Sequence, residues 1–367
     1  MDAPLIAVLG GGQLGRMLGL AGIPLGVRFR FLDPTPHAPA NAVGEAVVAP
    51  FDAVGAVEAF ASDATVITYE WEGVPASTAA LAAGRAPLRP GIASLATSQD
   101  RLDEKSCLAG LGIDTAPFAD VHDETSLRAA VATIGTPAVL KTRRGGYDGK
   151  GQVVLRDADD ATVRAAWAAV AGAPCILEGF VEFTRELSIV AVRGLDGHVC
   201  TYPLVENLHR EGVLRRTIAP APNLSDELAA RAVSYATSLC EALDHVGVLT
   251  LELFETPDGR LVANEFAPRV HNSGHWSIEG TATSQFENHV RAILGWPLGS
   301  TDPIAPTVMW NCLGSIPERT ALLGIDGVHV HDYGKEPRAG RKVGHLTVVD
   351  PSPEVVATVD ALVGPTD

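Results

Sequence analysis

Two glutamates, Glu252 and Glu265, sit inside otherwise apolar segments, VGVLTLELF and RLVANEFAP. Pro257-Asp258-Gly259 between them is a strong reversal signal, so the two segments read as a β-hairpin. Its carboxylates would face each other among apolar neighbours, where unpaired charge is costly. They would repel unless a cation lay between them. Hard oxygen ligands on adjacent strands suit Mg2+, or Mn2+ in its place, shared with substrate phosphates. Asn264 adds a neutral oxygen. The next loop, APRVHNSGHW, crowds Arg269, His271, Asn272, Ser273 and His275 beside that site. Such a cluster suits oxyanion binding or proton handling, and spacing alone does not choose between His271 and His275.

A second group of residues could handle phosphate. The segment KTRRGGYDGKG, Lys141–Gly151, lies between strand-like flanks and can fold over a polyphosphate with backbone N–H groups and lysine charge. It lacks the GxxxxGKS/T order of a P-loop. Near the N-terminus Gly10, Gly12 and Gly15 satisfy GxGxxG, and Asp33 ends the next strand-like run. That pattern fits a dinucleotide site, another ligand brought close to a helix N-terminus, or a tight turn with no ligand. Lys335, Arg338, Arg341 and Lys342 form the one dense basic run, which suits a phosphate monoester or a solvated loop.

The elements that must carry these groups follow from patterning. LIAVL at residues 5–9 is a buried strand, QLGRMLGLAGIPLG a helix, and VRFRFLD and TVITYEWE further strands. Strands alternating with helices imply a doubly wound α/β domain over residues 1–100. QDRLDEKSCLAGL reads as a helix stopped near Gly112, and DELAARAVSYATSLCEAL as a long helix. VLKTRRGGYDGKGQVVL and PCILEGFVEFTRELSIVAV each read as an antiparallel ribbon, and the region from about 300 onward as a small β-rich module.

Composition narrows the function classes. The 367 residues are 46% hydrophobic and 20% charged, with a net charge of −16. No basic stripe of the kind nucleic acid requires is present. The five cysteines are scattered without metal spacing, which fits a reducing compartment. No apolar run approaches the ~20 residues of a membrane span, and a cytoplasmic protein is expected.

Taken in order, GGGQLGRM, QDRLDEK, VLKTRRGGYDGKGQ, LEGFVEFTRELS, NLHREGV, LELF, NEFAPRVHNSGHW and YGKEPRAGRKVGH resemble the 5-(carboxyamino)imidazole ribonucleotide synthetases, a family of ATP-grasp enzymes. HNSGHW and GRKVGH are the more particular of these motifs. The resemblance implies an α/β Rossmann-like domain at 1–100 and an ATP-grasp domain at 101–298, of mixed α/β and α+β class, with a glycine-loop lid at about 115–185. A β-rich module at 299–367 follows. It implies ATP-dependent carboxylation of 5-aminoimidazole ribonucleotide by bicarbonate, in a homodimer with no nucleic-acid or membrane partner.

Residue by residue, the resemblance puts Arg101 and Lys141 on ATP, with Gly146, Tyr147, Asp148, Gly149, Lys150, Gly151 and Gln152 over its phosphates. Glu178, Gly179, Phe180 and Val181 meet adenine, Glu186 meets the ribose, and His209 lies nearby. Glu252 and Glu265 hold magnesium beside Asn264. Gln13, Leu14, Glu70 and Asn272 face the ribonucleotide, whose 5′-phosphate meets Lys335, Arg341 and Lys342. Asp148, Arg269 and His271 orient bicarbonate and manage the proton, with the base unassigned. One stretch departs from the pattern: TYEWEGVP stands where the family usually has TYEFENVP. Competing expectations are a formate-using glycinamide ribonucleotide transformylase, an NAD-dependent oxidoreductase, and a nonenzymatic nucleotide-binding module.

Overall fold

The computed structural model describes residues 3–146 and 151–364. Its first sheet holds the parallel strands β1 (Leu5–Leu9), β2 (Arg28–Asp33), β3 (Glu45–Val48) and β4 (Val66–Tyr69), in the order β3-β2-β1-β4. All five residues of β1 are buried, and they alternate between two faces. Ile6 and Val8 pack with Leu14, Met17 and Leu18 of the helix Gln13–Gly22. Ala7 and Leu9 pack with Val57 and Phe60 of the helix Val54–Ala61. Period-two alternation with helices on both faces is what the apolar run required.

The lid is a separate antiparallel sheet of β5 (Phe118–Val121), β6 (Ala138–Thr142), β7 (Gln152–Leu155) and β8 (Cys175–Gly179), ordered β5-β8-β6-β7. The helices Glu124–Ile134 and Asp160–Ala169 cover it over Leu140, Leu155 and Leu177. Asp123 and Asp159 cap those helices through their side chains.

The main sheet comprises β9 (Arg185–Arg193), β10 (Val199–Thr201), β11 (Val205–Arg210), β12 (Val213–Ala219), β13 (Gly247–Glu255), β14 (Leu261–Ala267), β15 (Thr307–Leu313), β16 (Val328–Asp332) and β17 (Lys342–Val349). Its path is β14-β13-β9-β11-β12-β15-β17-β16, with β10 beside β9. The helix Asp226–Ala242 packs on one face, through Leu228, Leu239 and Leu249. The helix Gln285–Leu294 packs on the other, through Phe286, Val290 and Val192.

One sequence expectation is corrected. PCILEGFVEFTRELSIVAV is not a ribbon: β8 pairs with β5 and β6, whereas β9 pairs with β10, β11 and β13. The stretch FVEFT between them has no residue suited to a tight reversal. It crosses from lid to main sheet, pinned by Phe180 N–H on Pro137 O at 3.1 Å and by Thr184 N–H on Glu255 O at 2.8 Å. The expected β-rich C-terminal module is present, and its strands continue the main sheet through the pairing of β15 with β12. They do keep their own apolar cluster around Val308, Trp310 and Leu346.

Candidate active site

The acidic hairpin forms as β13 and β14. Leu251 pairs with Phe266 and Leu253 with Ala263, so β14 carries one extra residue at this point. Glu252 therefore lies opposite the Asn264-Glu265 step. Burial pushes the Glu252 carboxyl up to about 7, and the Glu265 charge adds to the shift. Burial also opposes ionisation of Glu265, but Arg101 outweighs it, with Nη1 at 2.8 Å from Glu265 Oε2, and the net shift is downward. Arg101 Nη2 is 3.5 Å from the carbonyl of Gly146, so one guanidinium joins the acidic hairpin to the glycine loop. Among the described residues no group of three or more His, Cys, Asp and Glu side chains is arranged around a metal position.

The lid contributes cations. Lys141 on β6 lies 3.1 Å from Glu178 Oε2 on β8, and Lys105 lies 3.2 Å from the same oxygen. Lys105, which is 2% exposed, also donates to Ala263 O on β14 at 3.1 Å. Glu178 Oε1 has no protein partner. The carboxylate expected to meet adenine is therefore spent partly on two lysines. Gly179 ends β8, while Phe180 is exposed and Val181 half-buried at the mouth of the crossing. Glu186 Oε2 and His209 Nδ1 are 2.9 Å apart. Burial lowers the proton affinity of His209, but Glu186 and Glu252 raise it more. Gln152 pairs across the lid hairpin with Lys141, and Gly151 adopts φ +73 at its turn. Tyr147, Asp148, Gly149 and Lys150 lie outside the described residues.

A third group lies where the first domain meets the C-terminal strands. Lys335 donates to Gln13 Oε1, joining residues far apart in sequence. Burial lowers its ammonium to about 8 against the pull of Glu70, and Arg341 and Lys342 lower it further. Arg341 donates to Glu336 O at 3.2 Å, and Lys342 opens β17. The Leu14 side chain is in the apolar core. Arg269 donates to Glu72. Both amide atoms of Asn272 are buried without a protein partner. His271 Nε2 is 3.3 Å from Glu252 Oε1, whereas His275 is buried against the rings of Phe286 and His345. Tertiary structure thus separates two histidines that spacing could not.

The dinucleotide reading of Gly10–Gly15 does not survive. Glu70 occupies the helix N-terminus, accepting from Gly12 N–H at 2.9 Å and Gly15 N–H at 3.2 Å. A Cβ on Gly12 would lie 2.7 Å from Glu70 Oε1, so the glycine makes room for this carboxylate. Asp33 is engaged by the N–H groups of Gly11 (2.9 Å) and Thr35 (2.7 Å). The anion at this helix N-terminus is the protein's own.

Sequence reasoning passed over Lys105, Glu72, Asp100 and Gln285. Lys105 had a legible signal, since it follows Arg101 by four residues and shares its helix face. The others act through partners distant in sequence.

Residues 4–99 match the ribonucleotide synthetase preATP-grasp domain, residues 106–286 the ATP-grasp domain, and residues 307–358 the phosphoribosylaminoimidazole carboxylase C-terminal domain. The N5-carboxyaminoimidazole ribonucleotide synthase of Pseudomonas aeruginosa is 50% identical over 343 residues, covering 94% of each chain. The chain belongs to the N5-carboxyaminoimidazole ribonucleotide synthase family. Two solved members show the same fold. The Thermus thermophilus synthetase superposes with a TM-score of 0.93 at 49% identity, over 97% of this chain and 98% of that one. The Aspergillus clavatus synthase, solved with ADP and 5-aminoimidazole ribonucleotide, gives 0.89 at 30% identity, over 98% and 99%.

Proposed function

We propose that this chain is an ATP-grasp ligase that carboxylates 5-aminoimidazole ribonucleotide to N5-carboxyaminoimidazole ribonucleotide in purine biosynthesis, with bicarbonate as the carboxyl donor. The observation that carries the reading is Arg101, which bridges the Glu265 carboxylate and the Gly146 carbonyl. It brings Gly146 beside the acidic hairpin, which supports a role in transfer of a terminal phosphoryl group. ATP would phosphorylate bicarbonate, giving carboxyphosphate and ADP; the exocyclic amine would then take the carboxyl as the C–O bond to phosphate breaks, releasing inorganic phosphate and one amine proton.

Glu252 and Glu265, with Asn264 alongside, would hold Mg2+ or Mn2+. A carboxyl held up to about 7 by burial and a neighbouring carboxylate fits a site that a cation stabilises. When bound, the metal neutralises charge on the phosphate oxygens. Arg101 and Lys141 bind those oxygens, and Gly146, Gly151 and Gln152, with the sequence positions Tyr147, Asp148, Gly149 and Lys150, cover them. Glu178, Gly179, Phe180 and Val181 form the adenine wall, with Glu186 on the ribose and His209 orienting it.

Gln13, Leu14 and Glu70 face the ribonucleotide, and Lys335, Arg341 and Lys342 its phosphate. The unpartnered amide of Asn272 supports its place in this pocket. Arg269, His271 and Asp148 are the groups set to orient bicarbonate. Because carboxyphosphate hydrolyses readily, the lid must exclude water before transfer. We assign the enzyme to the cytoplasm as a homodimer; no helix among the described residues is long and apolar enough to cross a membrane.

The test is phosphate release from Mg-ATP and bicarbonate, with and without 5-aminoimidazole ribonucleotide. Strong stimulation by the ribonucleotide is expected. Absence of stimulation in folded protein that binds ATP would reject this amine acceptor.

A further inference from the structure

A line of buried polar side chains crosses the main sheet and ends at His271. Thr217 Oγ1 on β12 donates to Asn207 Oδ1 on β11 at 2.9 Å. Asn207 Nδ2 donates to Ser188 Oγ on β9 at 2.9 Å, and Ser188 Oγ donates to Ser273 Oγ at 2.7 Å. Ser273 Oγ lies 2.9 Å from His271 Nδ1. Thr217, Ser188 and Ser273 are 0% exposed and Asn207 is 5% exposed. Strand pairing requires none of these side-chain groups, and burying them is costly unless each is satisfied. The main chain of His271 is held separately. Its N–H donates to Gln285 Oε1 at 2.9 Å, and Gln285 Nε2 donates to its carbonyl at 2.6 Å.

Such a chain has a direction, and a backbone group sets it. The Ser273 N–H, which can only donate, lies 3.3 Å from the same His271 Nδ1. Nδ1 therefore accepts, and the neutral ring carries its proton on Nε2. Nε2 faces Glu252 Oε1 at 3.3 Å.

We propose that Thr217, Asn207, Ser188 and Ser273 are positioning residues that hold His271 as its Nε2–H tautomer, so that His271 presents that N–H toward Glu252 and is not the base for the substrate amine. This rests on the reading of Glu252 as a carboxylate of the phosphoryl-transfer site. An imidazole N–H fixed on a metal-holding carboxylate orients it, and loss of such a support typically costs 10–100-fold in activity or metal affinity. The base is then to be sought outside His271.

The first arm is NMR of protein labelled with 15N-histidine, using His271→Gln to identify the His271 signals. The Nε2–H pattern is expected in the parent protein, and it is expected to persist in Ser273→Ala and Ser188→Ala with a shifted Nδ1 signal, because the hydroxyl contact is lost or loosened while the backbone N–H at 273 remains. An Nδ1–H pattern in the parent protein overturns the proposal. Kinetics form the second arm. Glutamine places an N–H donor near Nε2 but cannot act as a base, so His271→Gln is expected to keep at least about a tenth of kcat. His271→Ala is expected to lose about 100-fold. Equal losses in the two variants would restore the base role. Thr217→Val, which touches no substrate, is expected to lower kcat severalfold at unchanged KM for ATP, and to add nothing to Ser273→Ala. Full additivity, or a change in ATP KM alone, counts against the relay. The NMR arm needs no turnover, so it separates failure of the relay from failure of the proposed activity.

Discussion

The carboxylates of the acidic hairpin differ because their neighbours differ. Glu265 has Arg101 as counter-charge, while Glu252, with His271 Nε2 at 3.3 Å, is held up to about 7 by burial and the Glu265 charge. Glu265→Gln is expected to lower ATP turnover about 100-fold while leaving the ribonucleotide KM nearly unchanged, since the lost interaction acts on the transferring phosphoryl group. Steady-state kinetics check this, and near-normal turnover would remove Glu265 from the metal site. The unusual TYEWEGVP stretch also has a local account. A Cβ on Gly73 would lie 2.2 Å from the Trp71 indole, so the glycine that replaces the family's asparagine makes room for the tryptophan that replaces its phenylalanine. Gly73→Asn is expected to cost about 1 kcal/mol and to cost nothing in a Trp71→Phe background. Urea denaturation of the four proteins in that cycle measures the coupling, and additive effects would show that the two changes are independent.

At the scale of elements, Asp100 ties the lid to the helix Arg101–Gly110, alongside the ion pair of Lys105 with Glu178. Asp100 caps that helix through Leu102 N–H at 3.1 Å and accepts from Arg143 at 2.8 and 2.9 Å and from Arg144 at 3.0 Å. The Arg101 N–H adds a bond to Arg143 O at 3.0 Å. This junction sets Arg101 relative to Lys141, which leads the chain out of β6. Asp100→Asn keeps a good helix cap but loses the charge shared by two guanidinium groups. The expected result is a stability loss of about 2 kcal/mol by denaturant titration and a higher KM for ATP. An unchanged ATP KM in a destabilised variant would make the junction purely structural.

Across the whole molecule, the first domain is joined to the main sheet by buried neutral histidines. His289 accepts the Val248 N–H at Nδ1 (3.1 Å) and meets Thr68 Oγ1 at 3.0 Å. His245 meets Ser94 Oγ at 3.0 Å and Val248 O at 3.0 Å. Burial lowers His245 to about 4 and His289 to about 3. In the unfolded chain both protonate near 6.5. The unfolded state therefore binds more protons between those values, and stability rises with pH through that window. The contribution is fully present above about 6.5 and is lost as pH falls toward 4 and then 3. Urea midpoints at pH 7.5 and 5.0 should fall with acidification, by less in a His289→Asn variant than in the parent. A parent midpoint that does not change between these values would remove the histidines from the account.

Apolar alternation in LIAVL, the Pro-Asp-Gly turn and the glycine loop determine β1, the acidic hairpin and the lid ribbon, because each depends on interactions within about 15 residues. The same locality makes Glu252, Glu265, Lys141 and the basic run legible as groups with chemistry to do. Tertiary structure decided what those groups touch. Glu70 fills the helix N-terminus that Gly12 and Gly15 present, and so turns a dinucleotide pattern into a support for a carboxylate. Lys335 reaches Gln13 across 322 positions, and β8 and β9 part into different sheets despite adjoining in sequence. His271 and His275 look alike along the chain, but the pairing of β9 with β13 sets Glu252 beside the first of them and Ser188 on Ser273, which meets its Nδ1. Contacts of that kind arise from strand order in the sheet, which no local pattern carries.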